Sequence, residues 1–192
     1  SDKTGTLTRN EMTVRSVVTA AAVYEVTGVG YAPRGEFLCG GRPFEVSEDG
    51  ALAALVRAAL LCNDATLKPA ASGWIVDGDP MEGALVSLAI KAGHDEQLLR
   101  KQMPRLDEIP FDARHRLMAS LHHGHDGDGA VAYVKGAPER ILELCSGQFG
   151  ADGRAPLDRP RWLAEIERIG AHGQRVLAIG MKEARDSILR KS

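Results

Sequence analysis

No apolar run in this chain is long enough to cross a bilayer. The longest, Ala51 to Cys62, is interrupted by Arg57 and falls well short of the ~20 residues a spanning helix needs. Neither sign of charge is in excess. With 24 Lys and Arg against 26 Asp and Glu the net charge is −2, which gives no electrostatic footprint for nucleic acid or an anionic membrane surface. Cysteine is scarce: Cys39, Cys62 and Cys145 are odd in number and far apart, with no CxxC pair. That excludes a disulfide scaffold and a zinc knuckle, suits a reducing compartment, and leaves all three as packing or loop residues. Aromatic residues make up only 5%, four of them Phe, so the position of each carries weight. There is no internal repeat, no low-complexity tract, and no secretory signal expected from the polar opening residues.

What is present has the balance of an ordinary globular domain, 44% apolar and 26% charged, and 192 residues suffice for one domain with its own core. β-Branched clusters predict strands over 13–18 and 22–26, and the Gly- and Pro-rich stretch from Gly28 to Pro43 reads as a loop. Leu52, Leu55, Val56, Ala59 and Leu60 share one face of a helix over 47–62, with Ser47 as its cap. A short strand at 73–76 leads into Asp79-Pro80-Met81-Glu82, a helix start with Asp79 at N-cap, Pro80 at N1 and Glu82 at N3, where a capping box would engage it. Gly93 stops that helix, and a second spans about 95–102. Strands at 116–122 and 130–134 flank a polar tip, 124–129, as a hairpin. His122, His123 and His125, beside Asp126 and Asp128, then belong to a solvated turn rather than to a metal cluster. Helices from Pro138 and over about 160–172, and a strand over 175–181, complete an α+β fold with a largely antiparallel, twisted sheet flanked by helices.

Chemistry concentrates first in Asp2-Lys3-Thr4-Gly5-Thr6-Leu7-Thr8. A carboxylate can attack a phosphoryl group to give an acyl phosphate. Small hydroxylated residues and Gly5 let backbone N–H groups approach phosphate oxygens, and Lys3 offsets their charge. This heptapeptide resembles the phosphorylation signature of P-type ATPases. The resemblance extends in order along the chain to about residue 182: Asp79-Pro80-Met81-Glu82-Gly83-Ala84-Leu85, the Pro110–Met118 stretch containing Phe111, Lys135-Gly136-Ala137-Pro138-Glu139, and Arg175-Val176-Leu177-Ala178. These pumps belong to the haloacid-dehalogenase-like superfamily, whose phosphatases carry a second Asp two residues after the nucleophile. Thr4 stands there instead, which favours a longer-lived phosphoenzyme.

The resemblance implies roles residue by residue. Asp2, Lys3 and Thr4 would be catalytic, with Mg²⁺ held at Asp2 and Thr4. Phe111 would stack on the adenine of ATP, and Glu82 would accept from its amino group. Lys135 would sit at the mouth of a pocket floored by the Gly136 backbone. Arg175 would pair with phosphate, and Arg116 would stand in for a lysine near the phosphates, keeping charge but not geometry. Met81 and His115 depart from the family pattern, losing a hydroxyl and weakening phosphate attraction at neutral pH respectively.

The organisation implied is residues 1–10 as phosphorylation loop and 11–192 as nucleotide-binding domain. Together they would form a cytoplasmic domain of an integral membrane cation pump, closest to the calcium- and sodium/potassium-type branch. The remaining phosphorylation, actuator and transmembrane domains would be its partners in the same polypeptide, along with ATP. The Gly-Asp-Gly-x-Asn-Asp and Thr-Gly-Glu segments of the family do not occur in these 192 residues. Two other classes stay open: a phosphatase or phosphotransferase fragment of the same superfamily, which would turn over a chromogenic phosphate ester, and a non-catalytic interaction module, which would ignore nucleotide. The reading predicts that this chain binds nucleotide with little or no turnover. Steady-state ATP hydrolysis well above a heat-killed control, abolished by Asp2→Asn, would contradict it.

Overall fold

Leu52, Val56, Leu60 and Leu61 are wholly withdrawn from solvent, each contributing about 1.5–3 kcal/mol of transfer free energy. They lie on α1 (Gly50–Leu61), a helix buried on nearly every side, as expected of an element with one interrupting charge. In the computed structural model, residues 11–71, 73–124, 129–150 and 153–184 are described. The N-cap of α1 is Asp49, whose carboxylate accepts from the amides of Ala51 and Leu52 at 2.7 and 3.1 Å and from the Tyr24 hydroxyl at 2.5 Å. The expected cap, Ser47, lies instead in a one-turn 3-10 helix, Val46–Glu48, that precedes α1.

α1 packs on α2 (Pro80–Lys91) and α3 (Glu96–Gln102). Both start as the sequence indicates: Asp79 accepts from the amides of Met81 and Glu82, and Asp95 from that of Leu98. Gly83 has no room for a side chain, since a Cβ there would come within 2.2 Å of Val76.

All strand pairings are antiparallel. One four-stranded sheet has the order β12-β9-β8-β7, formed by β7 (Arg105–Asp112), β8 (Leu117–His123), β9 (Ala130–Gly136) and β12 (Ala178–Ala184). Met118, Val131 and Tyr133 on one face join the α1 core. On the other face lies α4 (Pro138–Leu144), whose Ile141 meets the Val134 and Gly180 cross-strand pair. A second sheet runs β1-β2-β3-β4 over Ser16–Val18, Val23–Val26, Phe37–Cys39 and Arg42–Phe44. Two hairpins, β5–β6 (Thr66–Ala70, Gly73–Asp77) and β10–β11 (Gln148–Gly150, Gly153–Ala155), and α5 (Arg159–Gly170) complete the described elements.

Several sequence expectations are corrected. The supposed loop from Gly28 to Pro43 contains the β3–β4 hairpin. Its turn uses Gly40 and Gly41 at φ 58° and 75°, the left-handed pair that a tight two-residue hairpin demands. Pro43 is tolerated because β4 is an edge strand. β5, β7, β10 and β11 were not anticipated as strands, and β12 begins at Ala178 rather than at Arg175. His122 is not at a solvated tip but buried within β8. Its Nδ1 is 2.9 Å from the Met103 carbonyl and its Nε2 2.9 Å from the Ser120 hydroxyl. A carbonyl only accepts, so Nδ1 carries the proton and Nε2 accepts from Ser120. His123 is exposed, and His125 and its acidic neighbours Asp126 and Asp128 lie outside the described residues.

Burial lowers the pKa of His122, and of His94 as well. Both are therefore neutral in the fold. As pH falls below about 6.5 the unfolded chain takes up protons that the folded chain refuses, so the stability present above that pH is progressively lost. The urea midpoint should drop between about pH 7.5 and about pH 5.5, and His122→Asn should flatten that dependence. An unchanged slope in the variant would remove His122 from this account.

Candidate functional site

The register of the β12-β9-β8-β7 sheet brings Phe111, Arg116, Lys135 and Gly136 to one end. Asp112 stands opposite Leu117, Leu117 opposite Gly136, and Gly136 opposite Ala178, a single row across four strands. One step further in, Met118 pairs with Lys135 and Lys135 with Ile179. On β7, Ile109 faces Ala119 and Asp112 faces Leu117, so both Pro110 and Phe111 stand against Met118 alone. This two-against-one count is a β-bulge, a device that re-aims a side chain. Phe111 is 64% exposed there, two strands from Lys135 and at the same level of the sheet, about 10 Å away at the usual spacing of about 4.8 Å per strand.

Lys135, expected at the mouth of a pocket, is buried rather than a solvated surface lysine. Its side chain is only 4% exposed and its Nζ lies 2.5 Å from Glu82 Oε1, itself 12% exposed. Glu82 sits at N3 of α2, but its carboxylate does not turn back to form a capping box. Oε2 instead accepts from the Asp64 amide at 3.1 Å. Fully buried Asn63 fixes this corner: its side-chain amide donates to the carbonyls of Ala59 and Glu82 at 3.1 and 2.9 Å, and its oxygen accepts from the Ala65 amide. Arg100 and Arg105 both donate to the Asn63 carbonyl, closing the C-terminal end of α1. Neither Asn63 nor Asp64 was singled out from sequence. The available signal was an Asn immediately beyond an apolar helical run.

Basic side chains gather at the same end of the sheet, in two classes. Arg114 donates to the Asp112 carboxylate at 2.9 Å and His115 lies 3.2 Å from it. The Arg114 bonds hold the Asp112 pKa at about 2, with a smaller contribution from His115. Arg140 is paired with Glu143 at 2.6 Å. Arg116 and Arg175, by contrast, are exposed and make no salt bridge among the described residues. Arg116 closes the β7–β8 turn at φ 55°, rare for a residue with a side chain, and Arg175 lies three residues before β12. Gly136 serves close packing, since a Cβ would lie 2.3 Å from the Arg116 carbonyl oxygen.

An open concavity of about 740 Å³ is lined by Phe111, Ile109, Leu117, Leu144, Arg114, His115 and Arg140 among others, but not by Glu82 or Lys135. Phe111 thus belongs to that groove, which α4 lines through Arg140 and Leu144. Asp2, Lys3 and Thr4 lie outside the described residues. Among the described residues no three His, Cys, Asp or Glu side chains are grouped to hold a metal ion.

The sequence profile of the family described as P-type ATPase, cytoplasmic domain N, matches residues 51–191. The chain belongs to that family. As an N domain it is 43% identical over 188 residues to the cation-transporting ATPase pma1 of Synechocystis, covering 95% of this chain and 20% of that protein. It is 42% identical over 184 residues to the probable cation-transporting ATPase F of Mycobacterium tuberculosis, covering 94% and 20%. To the human calcium-transporting ATPase type 2C member 1 it is 35% identical over 186 residues, covering 93% and 20%. The chain therefore spans about a fifth of the length of these curated relatives. No helix among the described residues is long and apolar enough to cross a membrane.

Removing one member of a buried ion pair leaves the other charge stranded. Lys135→Ala should destabilise the N domain by about 3–5 kcal/mol in urea unfolding, and adding Glu82→Gln should recover a large part of the loss. Additive losses in the double variant would mean that the pair is not coupled.

Proposed function

We propose that this N domain binds an adenine nucleotide at the Leu117–Gly136 end of the sheet, base toward Glu82 and Lys135, phosphates toward Arg116 and Arg175. The observation that carries the reading is the buried Glu82–Lys135 pair, with an exposed aromatic on a bulge two strands away and two exposed arginines that form no ion pair among the described residues. A carboxylate has about four acceptor positions. Protein groups take two of them, the Lys135 ammonium and the Asp64 amide, which leaves capacity for the exocyclic amine of adenine. Lys135 has three N–H donors and commits one to Glu82, so it can serve a ring nitrogen or a phosphate oxygen. Phe111, 64% exposed, offers a ring face for stacking, worth about 1–3 kcal/mol by analogy with bases in nucleic-acid sites. Arg116 and Arg175 offer planar forks for phosphate oxygens.

The relatives' names, cation- and calcium-transporting ATPases, support placing this domain in a longer pump with phosphorylation, actuator and transmembrane parts in the same polypeptide. In that protein the domain, on the cytoplasmic side, would deliver the γ-phosphoryl group of ATP to Asp2. Mg²⁺ at Asp2 and Thr4 would offset the phosphate charge there.

The test is titration of the 192-residue chain with AMP and with ATP, followed by backbone amide resonances. Phe111→Ala should weaken AMP binding by roughly 5- to 150-fold, the equivalent of about 1–3 kcal/mol. Arg175→Ala should weaken ATP while leaving AMP less affected. Wild-type chain that binds neither nucleotide at millimolar concentration would overturn the reading.

A further inference from the structure

The turn between β2 and β3 is fastened to both ends of α2 and to the segment that leads into the domain. At one end the Tyr31 hydroxyl donates to the Pro80 carbonyl at 3.3 Å, on the first turn of α2, two residues before Glu82. At the other end, Lys91 on the last turn of α2 donates to the Thr27 carbonyl at 3.0 Å. The same stretch grips residues 11–15. Met12 donates its amide to the Tyr31 hydroxyl at 3.4 Å, the Gly30 amide donates to the Thr13 hydroxyl at 2.9 Å, and the Val26 amide donates to the Arg15 carbonyl at 2.9 Å. Gly30, at φ 65°, lies so close to Glu11 that a Cβ would come within 2.4 Å of its carboxylate. The Tyr31 ring is only 6% exposed, so its body is held by packing while its hydroxyl contacts both Met12 and Pro80.

We propose that Tyr31 is a positioning residue that transmits occupancy of the Glu82–Lys135 site to the leading segment of the domain. This inference rests on the nucleotide reading above. A ligand group that donates to the spare acceptor position of Glu82 pulls on a carboxylate held 2.5 Å from Lys135, and that carboxylate belongs to the helical turn whose Pro80 carbonyl Tyr31 holds. Displacement of the turn reaches the hydroxyl, and through it the Met12 amide. The Tyr31 contacts with Pro80 and Met12, at 3.3 and 3.4 Å, lie beyond the usual limits of about 3.0 Å for O–H···O and about 3.2 Å for N–H···O bonds, so they are weak and small movements make or break them. The Thr13–Gly30 bond, shorter at 2.9 Å, keeps the segment attached while that change occurs. Coupling of this kind is a free-energy linkage between two places, read as a change at one when the other fills.

The experiment compares wild-type chain and Tyr31→Phe, which loses only the hydroxyl, by amide resonances and hydrogen exchange with and without saturating AMP. In wild type, AMP should shift the Met12 resonance and change its exchange rate by about fivefold or more. In Tyr31→Phe the AMP affinity should stay within about threefold while the Met12 response disappears. A Met12 amide that ignores bound AMP in wild type, or that responds equally in the variant, would overturn the proposal. Should the variant not fold, the wild-type exchange measurement alone decides. Wild-type chain that fails to bind AMP would overturn the nucleotide reading first, and this inference with it.

Discussion

A salt bridge withdrawn from water as far as Glu82–Lys135 contributes little net stability. Desolvation of each ion costs several kcal/mol, and mutual attraction offsets this only when the geometry is good and the remaining polar valences are met. The surrounding structure reads as the means of meeting them. Asp79 starts α2 so that N3 arrives beside β9. Asn63 ties the last turn of α1 to the Glu82 backbone, and Asp64 presents its amide to the free oxygen. Arg100 and Arg105 hold the Asn63 carbonyl from below. Lys135 of β9 and the Asp64 amide beyond α1 meet at one carboxylate of α2, with Asn63, Arg100 and Arg105 bracing the corner behind them, and a loosened link would leave a buried charge poorly compensated.

The two halves of the proposed site differ in mechanical character. Glu82 and Lys135 stand on a helix and a strand that both belong to the packed body of the domain, whereas Arg116 and Arg175 stand on the connections that lead into β8 and β12. Groups on regular elements hold a rigid base with little ordering cost. Groups on connections adapt to a flexible, highly charged chain of phosphates.

Much of this was legible in sequence where local chemistry decides local structure. The starts of α2 and α3 follow from Asp79-Pro80 and Asp95, α4 from Pro138, and the β8–β9 hairpin from alternation around a Gly-rich tip. The misses share a cause. β4 and β7 are edge strands, so neither alternation nor a ban on proline constrains them; Pro43 closed an apparent loop over β4, and no strand pattern marks β7. Phe111, Arg116, Lys135, Arg175 and Glu82 are candidates that resemblance supplies. That Glu82 would seek Lys135 rather than its own helix N-terminus could not be read, because it depends on a pairing 53 residues away. His122 was misplaced for a similar reason: next to a polar tip in sequence, it points into a core formed by α3 and β9.

β7 has a consequence beyond the site. An eight-residue edge strand exposed along most of its length, with Leu106, Ile109 and Phe111 at its surface, offers unpaired backbone groups to any passing strand. Pro110 removes one donor from that row, the bulge at Pro110–Phe111 breaks its spacing, and Asp107 and Glu108 put like charges against a second copy. The distortion that turns an aromatic ring toward solvent therefore also keeps the sheet from being extended by a neighbour. A replacement that straightened β7 would be felt as self-association of the protein at high concentration.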